Sequence, residues 1–391
     1  MDIISNKVKS LTPSLTLAVT NEVKRLKAEG ETVYGLAGGE PDFDTPEHIK
    51  EATITALTEG KTKYTPASGL MELREAISAK LKNENGLNYG PTDVVVSTGG
   101  KQACFNALAA VLDEGDEVII PAPYWVSYPE MVRLAGGKPV IVETKESEHW
   151  KITPEQFEEA MTPSTKMIII NSPGNPTGAV YSKEELEAIA EIAASEDIII
   201  MSDEIYEKMT YGETKHVSIG SLSEEINNLT ITVGGLSKAY AMTGWRLGYT
   251  AAPPAIAKAI ATIQSHTTSN VTSFAQYGAL EALANDASEK FIADMRAEYD
   301  VRRQYVLGRL KAIRGIRVTE PKGAFYFFVN CVDLGMKSQN LADKLLSRHQ
   351  VAVVPGAAFG HDYGVRISYC TSFEVLSEGL DRFEEFCKEH Y

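Results

Sequence analysis

From residue 93 onward the chain falls into a repeating rhythm: short β-rich runs, mostly apolar, separated by stretches with helical spacing. The runs occupy 94–97, 117–120, 140–142, 167–170, 198–201 and 229–233. A run that is apolar on both faces and bounded by turn residues reads as a strand buried between two layers. Its alternation with helical stretches predicts a doubly wound, mostly parallel sheet in an α/β domain. Ahead of this region, Leu17, Val23 and Leu26 follow Pro13 at helical spacing and predict a helix that ends at Gly30. Further helices are predicted over 46–59 and 69–83. After about residue 285 the rhythm changes to a long charged helix over 289–312, then shorter strands that include 324–329 and 351–354. The pattern therefore predicts a large domain over 46–285 and a smaller α+β domain over 286–391, with no repeat and no low-complexity linker.

With 391 residues the chain can support both domains. The net charge of −15 disfavours nucleic acid and anionic membranes as partners, so any cationic site for an anionic substrate is a local exception. Four scattered cysteines lack metal-type spacing, which predicts free thiols in a reducing cytoplasm and no metal. The first residues carry no basic start followed by an apolar core, and no apolar run is long enough to span a bilayer.

The chemistry concentrates in one stretch. The run 229–233 breaks at Gly234-Gly235, and Ser237 and Lys238 follow among small and apolar neighbours, with Arg246 between Trp245 and Leu247. A lysine in apolar surroundings loses its proton readily, and a neutral amine forms Schiff bases. Two glycines and a serine suit a backbone close to a phosphate, and an arginine gives that phosphate a forked partner. Together they suggest pyridoxal 5'-phosphate.

Other candidates lie just past strand ends, where open α/β sheets bind ligands. After 94–97 come Gly99, Gly100, Lys101 and Gln102, a helix start suited to phosphate. After 117–120 comes Trp125, able to stack on an aromatic ring and donate its indole N–H to a carboxylate. After 167–170 comes Asn175, an amide for a phenolate oxygen. After 198–201 comes Asp203, whose carboxylate demands a cationic partner and would keep a pyridine nitrogen protonated; Tyr206 would join Asn175 at the phenolate. Glu204 is expected at the surface. Gly38 and Gly39 in a glycine-rich turn bring bare backbone close to a ligand.

The pattern S-K-x-x-x-M-T-G-W-R-x-G-Y resembles the lysine signature of class I aminotransferases, which have the pyridoxal phosphate-dependent transferase fold type I. It is most similar to subgroup Ib of the bacterial aspartate aminotransferases, and the likeness runs from Pro13 to Tyr369. The resemblance implies transfer of an amino group from L-aspartate to 2-oxoglutarate through a Schiff base on Lys238. It implies a homodimer with shared active sites, in which Tyr64 reaches the cofactor phosphate of the neighbouring subunit. It implies that residues 1–45 pack with the small domain, that Gly39 contacts substrate through its main chain, and that Arg366 clamps the α-carboxylate. Lys101 would reach the distal carboxylate of a dicarboxylic substrate. The alternatives are an aromatic amino acid or prephenate as substrate. Thr12 stands where prephenate-accepting members tend to carry a basic residue, and Gly234-Gly235 replaces a pair that in relatives often contains Asn or Ser.

Overall fold

The computed structural model describes residues 3–391. The first strand, β1 (Tyr34–Gly35), stands apart from the main sheet. That sheet contains β2 (Val94–Thr98), β3 (Glu117–Ala122), β4 (Lys138–Glu143), β5 (Thr165–Asn171), β6 (Ile199–Asp203), β7 (Thr230–Gly235) and β8 (Leu247–Ala251), in the order β2-β8-β7-β6-β5-β3-β4. Only β8 runs against its neighbours. All six runs read as strands are strands.

Their largely apolar character has a direct cause. Successive side chains on a strand point to opposite faces, and both faces are covered. Val118, Ile120, Met167 and Ile169 join one buried cluster, whereas Ile119, Ile168, Ile170 and Ile200 join another.

The second sheet is antiparallel, β12-β13-β10-β9, with β9 (Arg317–Val318), β10 (Tyr326–Asn330), β12 (Val354–Pro355) and β13 (Gly364–Ser368). Between β10 and β12 comes β11 (Val351–Ala352), which pairs with β1 instead, Tyr34 against Val351. The single strand expected over 351–354 is thus two strands with different partners. The strand expected from 324 begins at Tyr326, because Ala324 takes a left-handed φ of 55°. The long charged helix runs Asp286–Ala312, its first turn capped by the Asn285 side chain on the Ala287 N–H at 2.9 Å.

The N-terminal helix Leu15–Ala28 forms, with Val23 and Leu26 half-buried as their spacing suggests and Leu17 the exception. Leu17 stays 59% exposed, while Leu15 and Val19 pack against Trp150, Phe328 and Phe359. Among the described residues no helix is long and apolar enough to cross a membrane.

Candidate active site

The ends of the central strands stand in one row: Asn171 of β5 is in register with Asp203 of β6, and Asp203 with Val233 of β7. Since β8 is antiparallel, its start lies at the same end, Gly248 beside Gly235 and Leu247 beside Thr98. Residues before β8 and after β2, β5, β6 and β7 therefore meet above one edge of the sheet. They enclose a cavity of about 490 Å³, roofed by residues 37–40 and by Tyr326 and Arg366 of the small sheet.

Lys238 projects into this cavity. Its Nζ donates to the Gly39 carbonyl at 2.6 Å and lies 5.7 Å from the centre of the Tyr206 ring. Burial lowers its pKa to about 8, with Arg366 and Arg246 working in the same direction against Cys370 and Glu40. Below this pKa the amine is charged, and above it neutral. In the cofactor-free protein, pH-dependent labelling with an amine-selective acylating reagent is expected to have a midpoint near pH 8 at Lys238. Surface lysines should react with a midpoint near their ordinary value of about 10.4. A Lys238 midpoint at the surface value would remove the electrostatic argument for this residue.

Asp203 is buried on the cavity floor. Its Oδ2 accepts from the Tyr128 hydroxyl at 2.7 Å and the Cys104 thiol at 3.7 Å, and its Oδ1 from the Ile205 N–H at 3.2 Å. Burial holds its pKa above the ordinary carboxylate value despite those donors. All three donors are neutral, so a buried carboxylate faces the cavity without a cation from the protein. Tyr206 beside it shares a hydrogen bond of 2.9 Å with the Tyr326 hydroxyl. Arg366 is buried, donates to Asn175 Oδ1 at 3.0 Å and to the Ala37 carbonyl at 2.9 Å, and lies over the Tyr326 ring at 4.3 Å.

The opposite wall is built for an anion. The helix Gly99–Val111 starts with no side-chain cap. Gly99 has φ +78°, and a Cβ there would lie 2.4 Å from the Arg246 guanidinium, so the close approach of Arg246 requires glycine. Arg246 is itself left-handed, φ 57°, and is held by the carbonyls of Thr243 at 3.0 Å and Thr98 at 3.4 Å. Gly100, Ser237 and Arg246 all line the cavity. At its rim Lys101 lies 5.1 Å from the Trp125 ring centre, its pKa lowered by burial and by Arg246.

Two expected residues are not brought to this cavity. The Gln102 side chain turns back, accepting from the Thr98 N–H at 2.6 Å and donating to Thr268 at 2.7 Å, so it braces the helix start. Tyr64 is 92% exposed in its loop, outside the cavity of its own chain. Glu204, expected at the surface, is 2% exposed. Its run ends in a turn packed on both sides.

Other lining residues gave no signal as site residues. Tyr128 and Tyr326 sit in stretches that read as packing. Thr16, Thr20 and Lys24 face the cavity at four-residue spacing along the N-terminal helix; that polar stripe was the available clue.

The residues fit pyridoxal phosphate: an uncapped, glycine-lined helix start beside an arginine suits its phosphate. A low-pKa amine suits its aldehyde, and a buried carboxylate without a cation suits its ring nitrogen.

The comparisons agree with this geometry. The family profile described as Aminotransferase class I and II matches residues 31–383. An aspartate aminotransferase of Bacillus subtilis (strain 168) is 48% identical over 392 residues, covering 99% of each chain. An aspartate/prephenate aminotransferase of Thermus thermophilus is 48% identical over 384 residues, covering 97% of each. The solved structure of aspartate aminotransferase from Thermus thermophilus with maleate superposes with a TM-score of 0.95 at 46% identity, covering 99% of this chain and all of that one.

Proposed function

The chain belongs to the class I and II aminotransferases, which are pyridoxal phosphate-dependent enzymes acting on small amino and keto acids, and from that premise we propose that it moves the amino group of L-aspartate to 2-oxoglutarate in a ping-pong cycle. The observation that carries the reading is the pairing in one cavity of a low-pKa lysine with cations at two separate positions, Arg366 and Lys101. A dicarboxylate needs both. The Thermus thermophilus relative was solved with maleate, itself a dicarboxylate, which favours the same reading.

The chemistry divides among the residues as follows. The cofactor supplies an electron sink that stabilises negative charge developing at the substrate Cα. Lys238 would hold it covalently and, once freed by the substrate amine, would take the Cα proton as general base and return it as general acid two atoms away, across the intervening nitrogen. Its pKa of about 8 leaves an appreciable neutral fraction near neutrality. Asp203, with Tyr128 and Cys104 donating to one oxygen, would meet the ring nitrogen and keep it protonated. Tyr206 and Asn175 serve the phenolate oxygen. Gly100, Ser237, Arg246 and the helix start hold the phosphate, with Gln102 acting through the backbone of Thr98.

Arg366 grips the α-carboxylate bidentately. Its two terminal nitrogens are already oriented by Asn175 and Ala37. Trp125 covers the ring face, and the Gly39 carbonyl, which now accepts from Lys238, borders the substrate. The loop carrying Gly39 is anchored on both sides: Asp42 accepts from Arg302 at 2.8 Å, and Thr45 donates to the Ala241 carbonyl at 2.7 Å. On this reading residues 1–45 and 286–391 form the small-domain side of the cavity and 46–285 the large-domain side. An amino-donor panel with 2-oxoglutarate tests the assignment. Aspartate should lead; a lead by an aromatic amino acid, or faster amino transfer to prephenate than to 2-oxoglutarate when each is offered as acceptor, would favour the alternatives represented among the relatives.

The reading includes a homodimer with shared sites. Tyr64 lies outside its own cavity, and Ile54, Leu57 and Met71 on the same stretch of chain remain exposed, as befits a face that a second copy covers. Lys238→Ala subunits mixed with Tyr64→Phe subunits under mild denaturant give hybrids in which one site carries both lesions and the other neither. Activity should rise above the mean of the two parents, toward about a quarter of wild type for a random mixture. No rise in a mixture verified to contain hybrids would assign Tyr64 to its own subunit or to none.

A further inference from the structure

The turn that carries Asp203 and Tyr206 has a second face. Those two residues line the cavity, whereas Glu204 and Glu207, each one position further along, enter a closed compartment behind it. Four donors converge on Glu204: Ser202 at 2.8 Å on Oε1, and His216 Nε2 at 2.8 Å, Ser218 and Asn85 at 3.4 Å on Oε2. Glu207 accepts from Lys80 and from Asn85 Nδ2 at 2.6 Å, and Lys80 also donates to Asn85 Oδ1 at 2.8 Å. Lys80 and Asn85 come from the helix Met71–Asn85, and His216 and Ser218 from the segment that follows the turn.

Five charged groups are packed here, and their signs nearly cancel. Asp203, Glu204 and Glu207 are negative; Lys80 and a protonated His216 are positive. The carboxylate left over is Asp203, the one that faces the cavity. Burial works to lower the His216 pKa, but Glu204 and Glu207 outweigh it and hold it above the ordinary histidine value, with Lys80 opposing. Glu207 is held low by Lys80 and His216 against its burial. The remaining titratable neighbours are Glu84, 3.7 Å from Lys80; Lys208, paired with Glu84 at 2.7 Å and Glu289 at 3.2 Å; and the buried, neutral Tyr89, Tyr240 and Tyr249.

Ligand atoms of Glu204, Glu207 and His216 lie within 4.8 Å of one another, a spacing that would suit a divalent ion. The Lys80 ammonium already occupies the cation's place on Glu207, and His216 with Ser202, Ser218 and Asn85 satisfies Glu204. A metal would have to displace them.

We propose that the Lys80–Glu207–Asn85–Glu204–His216 network is a charge-balanced brace behind the active site, in which cationic His216 cancels Glu204 so that Asp203 keeps its negative charge toward the cofactor. His216 is thereby a positioning residue, which acts through Glu204 behind the cavity. The inference rests on the reading of Asp203 as the partner of the cofactor's ring nitrogen. In a water-poor interior an uncompensated carboxylate raises the proton affinity of its neighbour. Loss of the His216 charge should therefore protonate Asp203 at a higher pH.

The test compares His216→Phe, His216→Gln, Glu204→Gln, the double variant Glu204→Gln/His216→Phe and Asp203→Asn as holoenzymes. Cofactor dissociation constants are measured by fluorescence across pH, and thermal melts of the cofactor-free proteins check folding. Both His216 variants should bind cofactor about tenfold more weakly near neutrality, the equivalent of one unit in the proton affinity of Asp203. The pH below which affinity falls should move upward. The double variant should recover affinity relative to His216→Phe, because it removes the carboxylate left uncompensated. If His216→Phe does not fold, the same pH shift in His216→Gln, relieved by adding Glu204→Gln, carries the test. An unchanged pH midpoint, or a double variant no better than the single, would overturn the brace. So would one equivalent of tightly bound divalent metal removed by the His216 variants. If Asp203→Asn itself binds normally at every pH, the underlying reading of Asp203 fails instead; if Asp203→Asn alone is impaired, only the brace fails.

Discussion

Lys238→Ala is expected to lower the turnover number by about 10,000-fold, at the upper end of what one positioned proton-transfer group contributes, while the protein still binds cofactor noncovalently. Lys238 serves as both attachment point and proton carrier, and its pKa of about 8 suits it to the second task. Lys238→Arg separates the roles of charge and proton transfer. It keeps a cation at the position but cannot release a proton near neutrality, so it should be as inactive as alanine. Borohydride reduction of the wild-type holoenzyme should fix the cofactor to Lys238 alone, read by peptide mass spectrometry. Turnover above about one per cent in the alanine variant, or an adduct on Lys101, would remove Lys238 from its role; one per cent corresponds to the weakest loss expected for such a group.

The second large effect is a contrast between substrates. Arg366→Lys breaks a buried fork held by Asn175 and Ala37 and should reduce kcat/KM for every amino acid by about a hundredfold. Lys101→Ser should act selectively. A charge-assisted contact is worth roughly 1.5–3 kcal/mol, so aspartate and glutamate should lose about 10- to 150-fold. Alanine and phenylalanine, with no distal charge, should change little. The net charge of −15 makes this local cation the more necessary, because the chain offers anions no general attraction. Equal losses for aspartate and phenylalanine would confine Lys101 to the phosphate end of the cavity.

The sequence made the central sheet legible because each buried strand is apolar on both faces, a signal independent of tertiary detail. The site was legible for a related reason: strand ends concentrate backbone freedom and ligand contacts, so Asp203, Asn175 and Lys238 could be found by where the runs stop. The misreadings share a different cause. Glu204 reads as surface because charge ordinarily means water, and its burial is made possible by donors that the local pattern does not announce, Asn85, His216 and Ser218. Val351 to Val354 reads as one strand because spacing carries no information about partners. Tyr128 and Tyr326 hide in apolar stretches, where a hydroxyl looks like packing until its acceptor or neighbour is known. Gln102 follows a phosphate-like turn, yet its amide is used one residue before the glycines.

The pairing of Tyr34–Gly35 with Val351–Ala352 has a consequence for the order in which the protein is made. The strand at residues 34–35 waits for a partner at 351–352 that leaves the ribosome after the whole central sheet, and closing so long a loop is slow. The seven strands of the central sheet are synthesised well before that partner. A nascent chain thus completes its sheet while Gly38, Gly39 and the N-terminal helix still lack the surface on which they settle. The mouth of the cavity is expected to stay open to water until Leu15 and Val19 find Phe328 and Phe359. Chaperone dependence, if the cell supplies it, should fall on this late closure and not on the sheet.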